Sequence, residues 1–587
     1  MFKKIIVFIS LLFSFLQLQA EVVPYDKACR MAADFFGVSA DVKSPDGHVV
    51  LLWKGEGFVT KADPSNPPFY VFGSPSGQGF VIISGEDAIR PVLAWSHEGH
   101  FRHEDMPGSM AAWFDDVDSA VAAARETGAS PFALDRGYGD VVLEMKTAAW
   151  DQNDPYNYYC PVYNGEKTLT GCVATSMAIV MRYREWPTSG SGTVPAYETS
   201  RGIKVEGRKL GRYDWENMPL TDAGSSWTQE QERDVAILMA DCGAAIQANY
   251  GLAATSASEY QAFRSMIQYM SYDASAYMAE RSWYSDKDWN DLLKSELSAN
   301  GPVMYSADNK EGGHAFVIDG YTSEDYFHVN WGWGGTSNGY YTMSLMNPSA
   351  QNSPYDDDHN MVINLKPDEG GKVPQSIKFY STEFGGDILR GIHVKETDPD
   401  SGLPVLLNLG GFWNKGDEDY MGKFRLGVFD REGNLIKKVW EYELEEPMMP
   451  SHYRWFLDVQ PDLGEIDFGY RLLAQFYDTD TDEWKLIRAN RDYDGVDCVL
   501  LADEYSIEES TVFRYSKSLG FIFLFVKDGV EVTCKDKDGK PVDVHSAGSG
   551  EYQIDTNVLE SGKYTLCLSK GEEKVELAFV TGGNGNE

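Results

Sequence analysis

A cysteine opens an apolar helical pattern in the stretch LTGCVATSMAIVMRYREWPT, residues 169–188. The apolar residues after Cys172 recur at helical spacing until Pro187 ends the pattern. At a helix N-terminus, unpaired backbone N–H groups and the positive end of the dipole favour a thiolate over a thiol. The pattern therefore predicts a nucleophilic cysteine at the first turn of a buried helix.

A cysteine nucleophile needs a base, and the strongest candidate is His314 in EGGHAFVIDGY. Gly312 and Gly313 precede it, and glycine lets the backbone approach a substrate closely. An imidazolium beside the thiolate would lower the thiol pKa and later protonate the leaving amine. Taken alone, a histidine at the head of an apolar strand is more often structural, so the assignment depends on the residues around it.

Those residues include an amide and an indole in HVNWGWGGTSNGYY, where Asn330 and Trp331 precede a glycine-rich turn. An amide that bonds to the imidazole, shielded by an indole, fits the Cys/His/Asn arrangement of thiol proteases. His328 is a competing base, but we expect it to face elsewhere.

An oxyanion hole would complete such a site. Gln152 in WDQNDPYNYYCP precedes the cysteine, and its side-chain N–H could join the backbone N–H of Cys172 in stabilising a tetrahedral oxyanion. A glutamine in a polar loop is usually only a surface residue, so its position before Cys172 carries the assignment.

The elements that would position these residues belong to a region of helices and strands, which is followed by a region of strands alone. Helices are predicted near 172–186, 229–248 and 287–299, and the strands PVMYSA, HAFVIDGY, YFHVNWG and YYTMSLM follow them, which indicates an α+β domain. Before it, short strands such as GFVIISG and a helix indicate a small α+β unit. After KPDEGGKVPQ, strand follows strand, as in KFRLGVFD and its REGN turn, which predicts two β-sandwiches.

The net charge argues against a nucleic-acid-binding protein, and the cysteine content argues against a disulfide scaffold. The chain has 587 residues with 51 Lys+Arg and 90 Asp+Glu, a net charge of −39, which would repel nucleic acid. Seven cysteines are too few for a disulfide scaffold, although Cys534 and Cys567 could bridge two strands of one small domain.

The first twenty residues, MFKKIIVFISLLFSFLQLQA, have two lysines, an apolar stretch and a small residue at the end. This is the plan of a secretory signal peptide. No later stretch predicts a transmembrane segment, so we expect a secreted protein, extracellular or associated with the cell surface.

The quoted motifs, together with YDWENMP, resemble the streptopain family of secreted papain-like cysteine peptidases, which are made as zymogens. The resemblance implies Cys172 as nucleophile, His314 as base, Gln152 in the oxyanion hole, and Asn330 and Trp331 supporting the histidine. Two further positions, Gly313 and Ser256 in YGLAATSA, match residues that line the family's substrate cleft, Ser256 more loosely. The stretch GFVIISGEDAIRPVLAWSHEGHF resembles the family's inhibitory pro-segment.

We therefore expect an α+β papain-like catalytic domain, preceded by a small α+β pro-domain and followed by two all-β sandwich modules. The expected boundaries are a signal peptide at 1–20, a pro-domain at 21–140, the peptidase at 141–368, a β-sandwich at 372–505 and an immunoglobulin-like or sorting-like β domain at 506–587.

The expected function is a secreted cysteine endopeptidase whose partners are protein substrates and its own pro-domain. No cofactor is required, and no metal site is expected, because HEGHFRH lacks a zinc-protease order and DTDTDEW lacks the glycine and glutamate of a calcium loop. Two alternatives stay open: an acyl-transferring or amidase relative, and a non-catalytic surface adhesin built on the β-sandwiches.

Overall fold

The structure is a computed structural model of the chain. It describes residues 21–38, 48–55, 66–104, 106–127, 137–223, 226–284, 286–309, 312–343, 359–384, 387–399, 403–430, 433–464, 470–490, 498–501, 512–516, 521–526, 530–537, 539–542, 544–548, 551–555, 559, 562–570 and 573–581. The expected signal peptide at 1–20 lies outside these residues. Where the structure describes the chain, no helix is long and apolar enough to cross a membrane.

The chain divides into two compact units, residues 1–374 and 375–587. The described helices all belong to the first unit: α1 Tyr25–Phe36, α2 Gly108–Thr127, α3 Cys172–Arg184, α4 Gln229–Ala245, α5 Glu259–Met270 and α6 Asp286–Asn300, with short 3-10 turns at Trp215–Asn217 and Arg281–Trp283.

Most strands of the first unit form one eleven-stranded sheet in the order β1-β2-β3-β4-β16-β15-β14-β13-β17-β12, with β5 paired to β14. Its first four strands precede residue 100, so strands from the expected pro-segment and from the expected peptidase share one sheet. The strands of this unit are β1 Val50–Trp53, β2 Phe69–Gly73, β3 Phe80–Ser84, β4 Val92–Ser96, β5 Val141–Glu144, β6 Val162–Tyr163, β7 Glu166–Lys167, β8 Thr193–Val194, β9 Tyr197–Glu198, β10 Lys204–Val205, β11 Arg208–Lys209, β12 Tyr277–Glu280, β13 Val303–Asn309, β14 Gly312–Thr322, β15 Tyr326–Asn330, β16 Gly339–Thr342 and β17 His359–Ile363.

The large sheet is buried on both faces, and the two faces pack against different parts of the chain. Along β14, Ala315 and Val317 belong to one hydrophobic core, and Phe316 and Ile318 belong to another, as the two-residue period of a strand requires. The first core, which we call the nucleophile-side core, contains residues of α3, α4 and α5. The second, the pro-segment-side core, contains residues of α2, α6 and β2 to β4.

Helix α3 has almost no polar face, because every residue from Val173 to Met181 is buried. It ends at Arg184 because Glu185 takes a left-handed conformation, with φ 50°, and Pro187 then prevents continuation. The predicted helix over 172–186 is therefore two residues too long at its C-terminus.

Other predicted elements are close to the observed ones. Helices expected at 229–248 and 287–299 are α4 and α6, and a capping box between Thr228 and Gln231 fixes the start of α4. Sequence analysis missed α5, which begins after the N-cap Ser258, whose hydroxyl accepts a hydrogen bond from the Gln261 backbone N–H.

The second unit consists, where described, of antiparallel strands. Two sheets, β18-β22-β21 with β25 and β24-β23-β26-β27 with β28, share one core in which the rings of Phe412 and Phe424 lie 4.8 Å apart. Two further four-stranded sheets follow, β29-β30-β34-β33 and β32-β31-β35-β36. The strands are β18 Ile377–Tyr380, β19 Thr382–Phe384, β20 Asp387–Leu389, β21 Ile392–Thr397, β22 Pro404–Asn414, β23 Lys423–Phe429, β24 Leu435–Glu443, β25 Tyr453–Val459, β26 Tyr470–Asp478, β27 Glu483–Leu486, β28 Cys498–Leu501, β29 Val512–Ser516, β30 Phe521–Phe525, β31 Glu531–Asp536, β32 Pro541–Val542, β33 His545–Gly548, β34 Glu551–Asp555, β35 Gly562–Lys570 and β36 Glu573–Thr581.

The disulfide considered between Cys534 and Cys567 is wrong. The two residues lie on the paired strands β31 and β35, but the residue opposite Cys567 is Thr533 and the residue opposite Cys534 is Leu566. Neighbouring residues of a strand point to opposite faces, so the two thiols face opposite sides of the sheet, and both are free.

Candidate active site

Gly171 determines how the chain enters the nucleophile helix. Its φ is 91°, and a Cβ there would lie 2.9 Å from both the side-chain methyl and the carbonyl oxygen of Thr255. Both facts require glycine. The Thr255 hydroxyl donates to the Leu169 carbonyl at 2.8 Å, so the loop before α5 is tied to the chain that leads into Cys172.

Cys172 is the first residue of α3 and is partly exposed. Burial raises the pKa of its thiol, the Glu259 carboxylate raises it further, and the backbone N–H groups of Ala315, Val173 and Cys172 itself lower it, with a raised pKa as the net result. The expected lowering of the thiol pKa is therefore wrong for this form of the protein, because desolvation outweighs the helix N-terminus.

Helix α3, which begins at Cys172, packs against β14, the strand that carries the candidate base. Ala315, the residue next to His314 in sequence, belongs to the hydrophobic core against which Cys172 packs. The structure therefore brings Cys172 and the start of β14 together, although they are separated by more than a hundred residues in sequence.

The His314 ring contacts the expected pro-segment. A Cβ on Gly108, the first residue of α2, would lie 1.9 Å from Cε1 and 2.2 Å from Nε2 of His314, so the Gly108 backbone lies directly against the imidazole. His314 also has the strand parity of Phe316 and Ile318, whose side chains belong to the pro-segment-side core. The imidazole thus lies on the sheet face that α2 covers.

Asn330 lies on the other face, opposite Val317 of β14. Its amide N–H groups donate to the Thr147 hydroxyl and the Ala148 carbonyl, both at 2.9 Å, and its carbonyl accepts the Gly332 N–H at 3.1 Å. In this form of the protein the Asn330 side chain therefore binds the segment at Thr147 and Ala148, which precedes the loop of Gln152.

His328 shares the face of Asn330, because two residues along a strand restore the same side. Its Nδ1 bonds to Asp319 at 2.5 Å. Burial opposes a charged ring, but the Asp319 carboxylate, with Glu144 and Glu98, raises the pKa of His328 above its ordinary value. The ring is engaged in a buried pair with Asp319.

Trp331 and Trp333 pack into the pro-segment-side core. Trp331 is buried, its Nε1 donates to the Ser337 carbonyl at 3.2 Å, and its ring lies 5.0 Å from that of Phe316, two residues after His314. The Arg102 guanidinium of the pro-segment lies over the Trp333 ring at 4.3 Å.

Gln152 is hydrogen-bonded to the segment that leads into the nucleophile helix. Its carbonyl accepts the backbone N–H of Thr170 at 3.2 Å, two residues before Cys172. Its side chain is partly exposed, while its own N–H donates to the Asp151 carboxylate at 2.5 Å.

The two cleft residues implied by the resemblance lie on different elements of the first unit. Ser256 is exposed and bridges to Asn249 in the loop that packs on Gly171, and Gly313 is paired with Asp308 at the start of β14. The structure therefore brings together Cys172, Gln152, the Ser256 loop and the strand of Gly313 and His314.

Sequence analysis did not identify two residues that affect the site. The Gly108 backbone contacts the His314 ring, and the Glu259 charge raises the pKa of the Cys172 thiol. Neither stands in a motif, and only their tertiary neighbours identify them. Among the described residues, no group of three His, Cys, Asp or Glu side chains could hold a metal ion.

The chain matches two family models, the peptidase C10 family over residues 150–341 and the Spi protease inhibitor over residues 20–121. The thiol protease/hemagglutinin PrtT of Porphyromonas gingivalis is 28% identical over 373 residues, which cover 60% of this chain and 42% of that protein. The chain thus spans about two fifths of the length of PrtT.

Streptopain of Streptococcus pyogenes is 30% identical over 313 residues, which cover 49% of this chain and 76% of streptopain. A fragment of prointerpain A of Prevotella intermedia is similar in structure, with a TM-score of 0.44 and 28% identity over 52% of this chain and 97% of that fragment. The chain belongs to the peptidase C10 family of cysteine peptidases, and a segment like the Spi protease inhibitor precedes its peptidase region.

Proposed function

We propose that the protein is a secreted cysteine endopeptidase, synthesised as a zymogen, that cleaves proteins through the Cys172 thiolate and His314. One observation carries the proposal: helix α3, which begins at Cys172, packs against β14, the strand that carries His314, while the pro-segment residue Gly108 lies against the His314 ring. The elements of the proposed nucleophile and base are thus in contact, and the inhibitor-like segment covers the base.

In the active enzyme, the Cys172 thiolate attacks the scissile carbonyl and His314 protonates the leaving amine. Water activated by the same imidazole then hydrolyses the acyl-enzyme. The Cys172 backbone N–H and the Gln152 side chain stabilise the oxyanion. In the precursor the imidazole lies on the α2 face and Asn330 on the other face. Once α2 has left, His314, at the start of β14, must therefore change rotamer to reach the thiol, where Asn330 and Trp331 support it.

Hydrogen bonds and one strand pairing attach the pro-segment to the peptidase near the proposed active site. The Ser337 N–H donates to the His100 carbonyl at 3.1 Å, the Trp113 indole donates to the Thr342 carbonyl at 3.0 Å, and β4 pairs with β16. Because these contacts flank the loop that carries Trp331 and Trp333, the segment inhibits the peptidase by covering its base and one wall of its cleft.

Activation requires a cut in the connector at about 126–146, whose Gly-, Pro- and Ala-rich composition suggests accessible backbone. Where this connector is described, β5 pairs with β14 of the large sheet, so the cut is expected before Val141. The enzyme itself makes this cut, since its substrate is exposed polypeptide.

The remaining layout is also a proposal. A signal peptide at 1–20 directs secretion, and two β-sandwich modules follow the peptidase, at 372–505 and 506–587. The core shared by two sheets, with Phe412 against Phe424, supports the first module, and the core that joins Leu524 of one four-stranded sheet with Leu566 of the other supports the second.

Casein digestion by purified, processed protein tests the proposed function. We expect hydrolysis that a thiol alkylating agent abolishes and a chelator leaves unchanged. Products with and without an added amine acceptor, compared by mass spectrometry, separate hydrolysis from acyl transfer. An active-site thiol label that fails to react with the processed protein would favour an adhesin instead.

A further inference from the structure

A chain of hydrogen bonds runs from His328 to Asn330 through Asp319 and Thr147. One carboxylate oxygen of Asp319 bonds to Nδ1 of His328 at 2.5 Å, and the other accepts the hydroxyl proton of Thr147. The Thr147 oxygen in turn accepts an N–H of the Asn330 amide at 2.9 Å. Asp319 and Asn330 are each only 1% exposed, so water has little access to replace a lost partner.

The partners of the Asn330 amide fix the direction in which each of its ends points. A carboxylate only accepts hydrogen bonds, so the single proton of the Thr147 hydroxyl goes to Asp319 and the Thr147 oxygen is left as an acceptor. The Ala148 carbonyl is a second acceptor at 2.9 Å, so both N–H groups of the amide are used on this side. The carbonyl oxygen, at the other end of the amide, accepts the Gly332 N–H at 3.1 Å.

The turn that this oxygen binds packs against the nucleophile helix. A Cβ on Gly332 would lie 3.1 Å from the side-chain methyl of Thr175, which is three residues after Cys172 in α3. Asn330 also pairs with Val317, a member of the nucleophile-side core. Because a carbonyl oxygen has two lone pairs, the oxygen of Asn330 can accept a second N–H besides that of Gly332.

The groups that hold the amide belong to the part of the chain that remains after activation. Thr147 follows the cut expected before Val141, and the Met145 N–H donates to the Asp319 carbonyl at 2.8 Å. Asp319 lies on β14, the strand that also carries His314. Thr147 and Asp319 therefore stay together when the pro-segment leaves.

We propose that Thr147 and Asp319 are positioning residues that set the orientation of the Asn330 amide. They leave its carbonyl oxygen as the acceptor for His314 once that ring turns towards the thiol, so the inference rests on the proposed function. An acceptor there stabilises the charged imidazolium and keeps it beside the thiolate, whereas an N–H donor would favour the neutral ring. His328, the competing base of the sequence analysis, holds the second oxygen of Asp319 instead.

Two substitutions of Thr147 test the proposal in processed enzyme, with a fluorogenic peptide as substrate and active sites counted by titration. Thr147→Val keeps the shape of the side chain but removes the acceptor. We expect kcat to fall about tenfold while KM stays within about twofold of wild type, because the change affects the base rather than substrate binding. Thr147→Ser keeps the hydroxyl and should retain kcat within about twofold of wild type.

Asp319→Asn is the second test of the same orientation. An amide at this position can donate to the Thr147 oxygen, which frees the Thr147 proton to donate to Asn330 and lets the Asn330 amide turn over. We expect kcat to fall at least as far as in Thr147→Val. The control is Thr199→Val, which removes a buried hydroxyl that accepts the Ile203 N–H at 3.1 Å outside the site, and it should leave kcat and KM unchanged.

Titration of active sites restricts each comparison to folded enzyme. If Thr147→Val keeps the wild-type kcat, or if Thr147→Ser loses as much as Thr147→Val, the two residues do not orient Asn330 for catalysis. A rise in KM with unchanged kcat would likewise contradict the proposal. If the wild-type enzyme cleaves no peptide, the proposed function itself is wrong.

Discussion

The nucleophile-side core and the pro-segment-side core of the large sheet differ in whether they depend on the pro-segment. The nucleophile-side core contains only residues between Ala148 and Leu365, so it stays whole when the pro-segment is removed. The pro-segment-side core combines residues before Ala124, such as Phe114, with peptidase residues such as Phe316 and Trp331. The nucleophile-side core is permanent, whereas the pro-segment-side core is completed by a part of the chain that activation removes, as is a third core in which Phe35 and Trp95 pack with Tyr340.

The difference shows how latency is built into the fold. The nucleophile needs a rigid position, and α3 provides it within the permanent core. The proposed base, His314, must be blocked in the precursor and accessible in the processed enzyme. In the precursor, the Gly108 backbone lies against its ring. Because inhibition and burial of apolar surface use the same contacts, removal of the segment changes both activity and stability.

The largest effect is expected from replacing Cys172, the proposed nucleophile, at the start of the helix that packs in the nucleophile-side core. Cys172→Ala should abolish casein hydrolysis, a loss of more than about 10⁴-fold, and the chain should accumulate as uncut precursor because the nucleophile for self-processing is gone. The alanine gains helix propensity, so the fold should survive, and a trace of active enzyme should restore the cut. Gel electrophoresis and circular dichroism measure both.

Cys160→Ala is the control for that experiment, because Cys160 is a buried thiol outside the site, with a pKa raised by burial to about 12. It should retain hydrolysis and its sensitivity to alkylation. If purified Cys172→Ala matures at the wild-type rate with no other protease present, both self-processing and the assignment of Cys172 must be withdrawn.

A pair of core substitutions compares the two faces directly. Met177→Ala, in the permanent core, should cost about 2–5 kcal/mol of unfolding free energy before and after processing. Tyr341→Ala, in the removable core, should cost about 3–5 kcal/mol in the precursor and clearly less in the processed enzyme. The Tyr341 ring loses its pro-segment neighbours Trp113 and Phe80 on processing.

Urea unfolding of both variants in the Cys172→Ala background measures these costs, before and after cleavage with trace enzyme and removal of the pro-segment. Equal losses for Tyr341→Ala in the two forms would show that its side of the sheet is not completed by the pro-segment.

Gly108→Ala tests the contact on the base. The new methyl group would overlap the His314 ring, so the start of α2 must shift and the segment should bind less tightly. We expect the precursor to process itself about tenfold faster, equivalent to about 1.4 kcal/mol of lost docking energy. Gly211→Ala is the control, because a Cβ there meets open space. If Gly108→Ala processes itself at the wild-type rate, the contact between Gly108 and His314 does not keep the precursor inactive.

The smallest effect concerns the pH dependence of the thiol. Because the pKa of Cys172 is raised in the precursor, its thiolate fraction, and so its alkylation rate, should increase only at pH values above the ordinary thiol pKa. After processing, the freed imidazolium should move this increase to lower pH. Iodoacetamide labelling of Cys172, followed by mass spectrometry across pH, measures the shift, and identical profiles for the two forms would contradict it.

Much of the site could be read from local pattern. The apolar run after Cys172 predicted α3, the strand after His314 predicted β14, and the chain order of Cys172, His314 and Asn330 indicated thiol-protease chemistry. These succeed because helix and strand periods, and the residue types that catalysis needs, are properties of short segments.

Other features depend on packing between distant segments. Whether burial or the helix N-terminus sets the pKa of Cys172 depends on how deeply the thiol lies against β14, and the Cys534–Cys567 pairing was decided by strand register. Helix α5, which carries Glu259, escaped notice because its short pattern is ambiguous without the sheet it packs near.

The sequence by itself determined the family of this protein and the presence of an inhibitor-like segment, and it predicted Cys172 as nucleophile and His314 as base. Only the tertiary structure decided which face of the sheet the residues of β14 occupy, that Gly108 contacts His314, and that burial raises the pKa of the Cys172 thiol. The physical reason is that residue type is fixed locally, whereas burial, desolvation and charge–charge contact arise from residues far apart in the chain.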